Sequence, residues 1–173
     1  ATTKWGSPAS VYIWELFDST VTGARLIQEL HPPVQNVFEV AFSPDGRTLA
    51  AAPYYGSSSD LADKQVVVWD THDWDIPPVS YPMLGDSLTY IAFTPDSQRI
   101  MATIRGGVQM FLLDEERYER RGIMDGIPEM IAISPDGKWM ALGFNGLYPS
   151  TRYGNVYGPI SLWSIADLTE TRV

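Results

Sequence analysis

Phe38-Glu-Val-Ala-Phe-Ser-Pro-Asp-Gly46 decides the fold, because the chain writes it three times. The second copy is Thr89-Tyr-Ile-Ala-Phe-Thr-Pro-Asp-Ser97, and the third is Glu129-Met-Ile-Ala-Ile-Ser-Pro-Asp-Gly137. Their Pro-Asp pairs begin at Pro44, Pro95 and Pro135, so the periods are 51 and 40 residues. A period of this size marks a supersecondary unit that buries its faces by stacking on its neighbours. In each copy a short apolar run, rich in β-branched and aromatic residues, reads as a buried strand. A tight turn follows. Pro presets φ, Asp bonds its own backbone, and Gly takes the dihedral that other residues resist.

Outward from this stretch the same grammar continues. A second run follows each turn: Thr48-Leu-Ala-Ala-Ala52, Arg99-Ile-Met-Ala-Thr103 and Trp139-Met-Ala-Leu-Gly143. A third run ends on an aromatic: Val66-Val-Val-Trp69, Val108-Gln-Met-Phe111 and Ile160-Ser-Leu-Trp163. A weaker fourth run is Pro78-Val-Ser-Tyr-Pro82 and Tyr118-Glu-Arg-Arg-Gly122. The N-terminal stretch joins in the same register, with Ser10-Val-Tyr-Ile-Trp-Glu15 as a third strand and Ala24-Arg-Leu-Ile-Gln-Glu-Leu30 as a fourth. Four short strands per unit of roughly 40 residues describe a β-propeller blade. The expected fold is all-β, with blades of four antiparallel strands. The expected boundaries are a partial first blade over 1–31, then blades over 34–84, 87–124 and 127–173. Two, four, four and three strands are expected in turn, and Trp14, Trp69, Phe111 and Trp163 are expected to pack between blades.

The turn and the third-strand ending resemble the WD-repeat (WD40) β-propeller family. In that family the first strand ends near Phe-Ser-Pro-Asp-Gly and the third ends Leu-Trp-Asp. Val68-Trp69-Asp70 matches the ending fully, Ile13-Trp14-Glu15 and Leu162-Trp163-Ser164 match in part, and Met110-Phe111-Leu112 is degenerate. The family's Gly-His pair is missing. His31 stands near its place but is followed by Pro32 and Pro33, and Asp63 alone occupies the position of the Asp that partners that His. The repeats are similar to degenerate bacterial ones. The resemblance implies a propeller, and propellers close with whole blades, usually about four to eight. About three and a half blades are expected here, hence an incomplete ring, to be completed by a missing segment or by a second chain. Ala1 in place of an initiator Met fits a cut inside a blade.

Composition narrows the function classes. The 173 residues carry 21 Asp and Glu against 12 Lys and Arg, a formal charge of −9. A nucleic-acid binder needs a basic face, so no nucleic-acid partner is expected. No apolar run approaches the roughly 20 residues of a membrane-spanning helix. The chain has no cysteine, which excludes disulfides, thiolate metal sites and a cysteine nucleophile. Its absence, with the acidic and aromatic composition, leans towards an extracytoplasmic location.

The length variation falls between second and third strands. Pro53-Tyr-Tyr-Gly-Ser-Ser-Ser-Asp-Leu-Ala-Asp-Lys64, Asn145-Gly-Leu-Tyr-Pro-Ser-Thr-Arg-Tyr-Gly-Asn-Val-Tyr-Gly158 and Lys4-Trp-Gly-Ser-Pro-Ala9 occupy that place, whereas the third blade has only Arg105-Gly-Gly107. These insertions are rich in Tyr, Gly and Ser. Tyr gives large contact area at low entropic cost, and Ser and Gly adapt locally, which is the composition of protein-binding loops. Trp5, Tyr54, Tyr55, Tyr148, Arg152, Tyr153 and Tyr157 are the candidate partner-binding residues. Asp45, Asp96 and Asp136 read as turn formers, one per blade and too far apart to share an ion. His31 and His72 have no placeable acid–base partners, and Asp114-Glu115-Glu116 with Arg117, Arg120 and Arg121 reads as a solvated hairpin. Neither a cofactor nor a metal is expected. The expected function is a non-enzymatic protein-interaction or scaffold module. The alternative is a sensor or enzyme domain holding a small ligand in the central channel of a completed propeller.

Overall fold

Each Pro-Asp turn closes through the same set of bonds. In the first copy the Ser43 hydroxyl donates to Asp45 Oδ1 at 2.6 Å, and Arg47 N–H donates to the same oxygen at 3.0 Å. Thr48 N–H donates to Ser43 Oγ at 2.9 Å, and Gly46 N–H to the Ser43 carbonyl at 2.9 Å. Thr94, Asp96, Gln98 and Arg99 repeat the set. So do Ser134, Asp136, Lys138 and Trp139. A hydroxyl and a carboxylate two residues apart thus satisfy donors that a tight turn leaves open. The residue after Asp is left-handed in all three, with φ of 73° at Gly46, 61° at Ser97 and 68° at Gly137.

The computed structural model describes residues 1–4, 9–17, 23–53, 64–83, 90–114, 117–121, 128–144, 147–150, 154–157, 160–167 and 170–171. All their regular elements are strands, and no helix among them is long and apolar enough to cross a membrane. The first sheet holds β1 (Thr2–Lys4), β2 (Ser10–Leu16) and β3 (Ala24–Leu30). The second holds β4 (Val37–Phe42), β5 (Thr48–Pro53), β6 (Gln65–Asp70) and β7 (Val79–Pro82). The third holds β8 (Ile91–Phe93), β9 (Arg99–Ile104), β10 (Gly107–Leu112) and β11 (Arg117–Arg121). The fourth holds β12 (Pro128–Ile133), β13 (Trp139–Phe144), β16 (Ile160–Ser164) and β17 (Glu170–Thr171), with a separate hairpin, β14 (Leu147–Ser150) and β15 (Gly154–Tyr157), between β13 and β16. Every pairing is antiparallel between successive strands of its sheet. This is the all-β, blade-like architecture of an incomplete propeller ring.

The strand count exceeds the thirteen that the sequence suggests: seventeen strands are placed among the described residues. The first sheet gains β1, the fourth gains β17, and the segment 145–158, expected as a loop, contains the β14–β15 hairpin.

The core lies between sheets. Neighbours meet in chain order, with β1 beside β4, β4 beside β8, and β8 and β9 beside β12. Val11, Ile13 and Leu30 of the first sheet meet Leu49, Ala51, Val67 and Trp69 of the second. Ala50, Ala52, Val66, Val68 and Tyr81 on the other face of the second sheet meet Ile100, Ala102, Ile104 and Phe111 of the third. Met101, Val108 and Met110 then meet Met140, Leu142 and Trp163 of the fourth. Because side chains alternate along a strand, each inner sheet is apolar on both faces. That explains why Val66-Val-Val-Trp69 reads as a continuous apolar run. Burying each such Val, Leu or Ile contributes roughly 1.5–3 kcal/mol before the ordering entropy is set against it.

Candidate partner-binding rim

The two ends of each sheet carry different chemistry. One end holds the Pro-Asp turns, and these touch across sheets. Asp45 N–H donates to Ser97 Oγ at 3.1 Å, and a Cβ on Gly137 would lie 3.5 Å from Pro95 Cδ. The other end holds the connections between second and third strands. In the second sheet Pro53 opposes Val37 there, and in the fourth Phe144 opposes Pro128. The third sheet turns directly, with Ile104 opposing Gly107 and Gly106 at φ 78°. The second sheet spends residues 54–64 on this connection, and the fourth spends 145–159, including the β14–β15 hairpin.

Trp5, Tyr54, Tyr55, Arg152 and Tyr153 lie outside the described residues, as does Asp63. The backbones of Tyr148 and Tyr157 lie on the hairpin, where Tyr148 opposes Val156 and Tyr157 opposes Leu147; their side chains fall outside the described set. Residues 147–150 and 154–157 thus pair as strands where the Gly- and Ser-rich composition reads as a loop.

The three turn aspartates sit at the opposite end, one each in the second, third and fourth sheets. The Ser43 hydroxyl and Arg47 N–H hold the Asp45 carboxyl below its usual range, and the Ser134 hydroxyl and Lys138 N–H do the same for Asp136. Partial burial pushes Asp96 the other way, but the Thr94 hydroxyl and Gln98 N–H outweigh it. Each carboxylate is spent on its own turn. Among the described residues, no three His, Asp or Glu side chains are grouped to hold an ion. His31 Nδ1 lies 3.4 Å from Ser10 Oγ, and the exposed His72 lies 3.4 Å from Asp70 Oδ1.

Trp69, Phe111 and Trp163 are buried at sheet interfaces, and each faces the preceding sheet. Trp14 departs from the expectation of a buried anchor. It is 43% exposed, and its Nε1 donates to Thr2 Oγ1 at 3.1 Å. The reason is positional: its face also points away from the next sheet, and no described sheet precedes the first.

Three buried polar links between sheets escape a reading of the sequence alone. Glu39 accepts the Ile91 N–H at 2.7 Å, Gln109 Nε2 donates to the Pro82 carbonyl at 2.9 Å, and the Tyr81 hydroxyl donates to the Leu113 carbonyl at 3.2 Å. Burial pushes the Glu39 carboxyl up, against the pull of the Ile91 N–H. The one visible signal was a Gln inside the apolar run Val108-Gln-Met-Phe111. The inner strands share a second feature. The pairing shifts between Val37 and Glu39 and again between Pro128 and Met130, so Phe38 and Glu129 bulge at equivalent places. The released Phe38 ring meets Tyr90 edge-on at 5.2 Å.

The family model described as "WD domain, G-beta repeat" matches residues 24–70. Residues 24–70 are thus similar to a WD40 repeat, set on propeller-like blades. The matched WD40 stretch runs from β3 through β6, so the repeat joins the outer strand of one sheet to three strands of the next. Comparison with curated protein sequences gives no match. Among solved structures, a chain of Kuenenia stuttgartiensis hydrazine synthase superposes with a TM-score of 0.58 at 20% identity. The similarity covers 82% of this chain and 35% of that one, and at this identity it speaks for the fold alone.

Proposed function

We propose that this chain is a non-enzymatic WD40-type interaction module whose binding surface is the rim of second-to-third strand connections. One observation carries the reading: the chain lengthens this connection in three sheets, with Tyr, Gly and Ser in the second and fourth and with Trp5, Gly6 and Ser7 in the first, while the third sheet makes it with Arg105-Gly106. WD40 repeats generally serve protein interaction, and Tyr-rich connections on a rigid scaffold have the composition of such surfaces. Trp5, Tyr54, Tyr55, Tyr148, Arg152, Tyr153 and Tyr157 are the residues proposed to meet the partner. The test is affinity capture with the chain and with a Tyr54→Ala, Tyr148→Ala, Tyr153→Ala variant. The variant is expected to keep its circular dichroism spectrum and lose the proteins captured by the parent. Unchanged recovery from a folded variant moves binding away from this rim.

A further inference from the structure

The second sheet has a neighbour on each side, since β4 packs beside both β1 and β8. At the end that holds the Pro-Asp turns, its third and fourth strands are joined by Thr71-His-Asp-Trp-Asp-Ile-Pro-Pro78. The third sheet makes the same connection with residues 113–116. The longer connection is fixed to its sheet. Thr71 N–H donates to the Arg47 carbonyl at 3.0 Å, and the Thr71 hydroxyl to the Gly46 carbonyl at 2.6 Å. His72 N–H donates to Asp70 Oδ1 at 2.8 Å, and Asp75 N–H to Asp73 Oδ1 at 3.1 Å. Ile76 N–H closes the turn on the Asp73 carbonyl at 3.3 Å. Trp74 packs down on the apolar cluster between the first and second sheets.

What this connection holds up is apolar. Ile76 is 49% exposed and Val79 38%, and Pro77 between them is exposed as well. Apolar residues scattered singly over a surface need no explanation. These are contiguous, and two proline rings stiffen the backbone that carries them. A rigid apolar surface loses little entropy when it is covered. Pro78 and Pro82 have no N–H, so the outer edge of β7 cannot pair fully with an added strand. Side chains must therefore make the contact, and the charges beside them select the occupant. Asp70, Asp73 and Asp75 are all exposed, and no Lys or Arg stands between Lys64 and Arg99. The Arg47 guanidinium acts on Asp45 of its own turn. Three carboxylates thus stand against the single imidazole of His72. A cover for this patch needs an apolar side chain with cationic neighbours.

We infer that Ile76, Pro77 and Val79 dock a partner protein through an apolar side chain flanked by Arg or Lys, which meet Asp73 and Asp75. Asp73 and Ile76 close one turn, so carboxylate and apolar surface are presented together. The apolar side chain supplies buried area, and the cations supply orientation and a salt-dependent association rate. This surface lies at the opposite end of the second sheet from the Tyr-rich connections and does not depend on them. A module with both surfaces holds two partners at once.

The test titrates the full, isotopically labelled chain with short acetylated peptides: one alternating Arg and Leu, one alternating Arg and Ser, and one alternating Glu and Leu. Nuclear magnetic resonance follows the Trp74 indole and the amides of Thr71, Ile76 and Val79. The Arg–Leu peptide is expected to shift these signals, less so at high salt, where exposed charges are screened. The other two peptides are expected to leave them in place. A variant with Ile76→Ala and Val79→Ser is expected to keep its circular dichroism spectrum and bind about tenfold more weakly, the scale of a lost interface anchor. Asp73→Asn with Asp75→Asn keeps an oxygen acceptor for the turn, and is expected to weaken binding and flatten its salt dependence. The variant with Tyr54, Tyr148 and Tyr153 changed to Ala is expected to bind as the parent does, whatever becomes of its rim. Failure of the Arg–Leu peptide to bind, equal binding of the Arg–Ser peptide, shifts confined to other parts of the chain, unchanged affinity in either paired variant, or loss of binding in the Tyr variant would each overturn the assignment.

Discussion

At the scale of the residue, the three turns form an internal comparison. Gly46 and Gly137 carry the left-handed conformation without penalty, while Ser97 carries it with a side chain. The Ser97 hydroxyl is used, because it accepts the Asp45 N–H across the sheet boundary. Two effects can therefore be separated. Ser97→Ala loses the bond and keeps the unfavourable dihedral. Ser97→Gly loses the bond and relieves it. Ser97→Gly is expected to be more stable than Ser97→Ala by about 1 kcal/mol, the usual cost of a left-handed side chain. Gly46→Ala tests the dihedral alone, since a Cβ there meets nothing within 4 Å. It is expected to lose about 1 kcal/mol in urea denaturation at constant slope. Equal stability of the Ala and Gly variants at 97 would show that the dihedral is not the controlling term.

At the scale of the element, stability belongs to the faces between sheets, so identical chemistry has different consequences by place. Ile100 on β9 is fully buried against the second sheet, and Ile76 lies half-exposed in the connection from β6 to β7. Ile100→Ala is expected to cost about 2–5 kcal/mol through the cavity it leaves. Ile76→Ala is expected to stay within about 0.5 kcal/mol of the parent. Chemical denaturation of both variants checks this, and similar costs would mean that the interface is loosely packed. The same distinction governs what could be read from the sequence. The strands flanking Pro44, Pro95 and Pro135 were legible because each is an apolar run bounded by a turn with its own chemistry. Thr2–Lys4 and Glu170–Thr171 were not, since short polar edge strands are held by backbone pairing and leave no periodic signal. The β14–β15 hairpin was hidden for a related reason, as Pro, Ser and Gly in its sequence read as turn formers. Trp14 shows a further limit. Its register gives the face it occupies, but only the arrangement of sheets shows what covers that face. Glu39 is the same case for a polar group, because its partner Ile91 lies in another sheet. The Tyr-rich rim was legible as composition, and its side-chain geometry lies outside the described residues.

At the scale of the whole molecule, two classes of carboxyl group set opposite dependences of stability on pH. Asp45, Asp96 and Asp136 are held below their usual range by turn hydrogen bonds. Their folded states bind protons more weakly than the unfolded chain, so their contribution is present above the ordinary carboxylate range, near about pH 4. It is lost as pH falls through their lowered values. Glu39 is pushed up by burial between sheets. Its folded state binds the proton more tightly, so its contribution is full below the ordinary value and disappears as pH rises through the raised one. The net charge of −9 adds a background repulsion that also changes with pH, but differences between parent and variant largely remove it. Thermal midpoints are therefore to be compared from pH 2 to pH 7 for the parent, for Glu39→Gln, and for a variant with all three turn aspartates changed to Asn. The advantage of the parent over the Asn variant is expected to grow with rising pH. Its standing against Glu39→Gln is expected to fall with rising pH, since the variant escapes the penalty of a buried charge. Curves that run parallel for Glu39→Gln would mean that solvent reaches this carboxylate, and that the Ile91 bond is a surface contact instead of a link within the sheet interface.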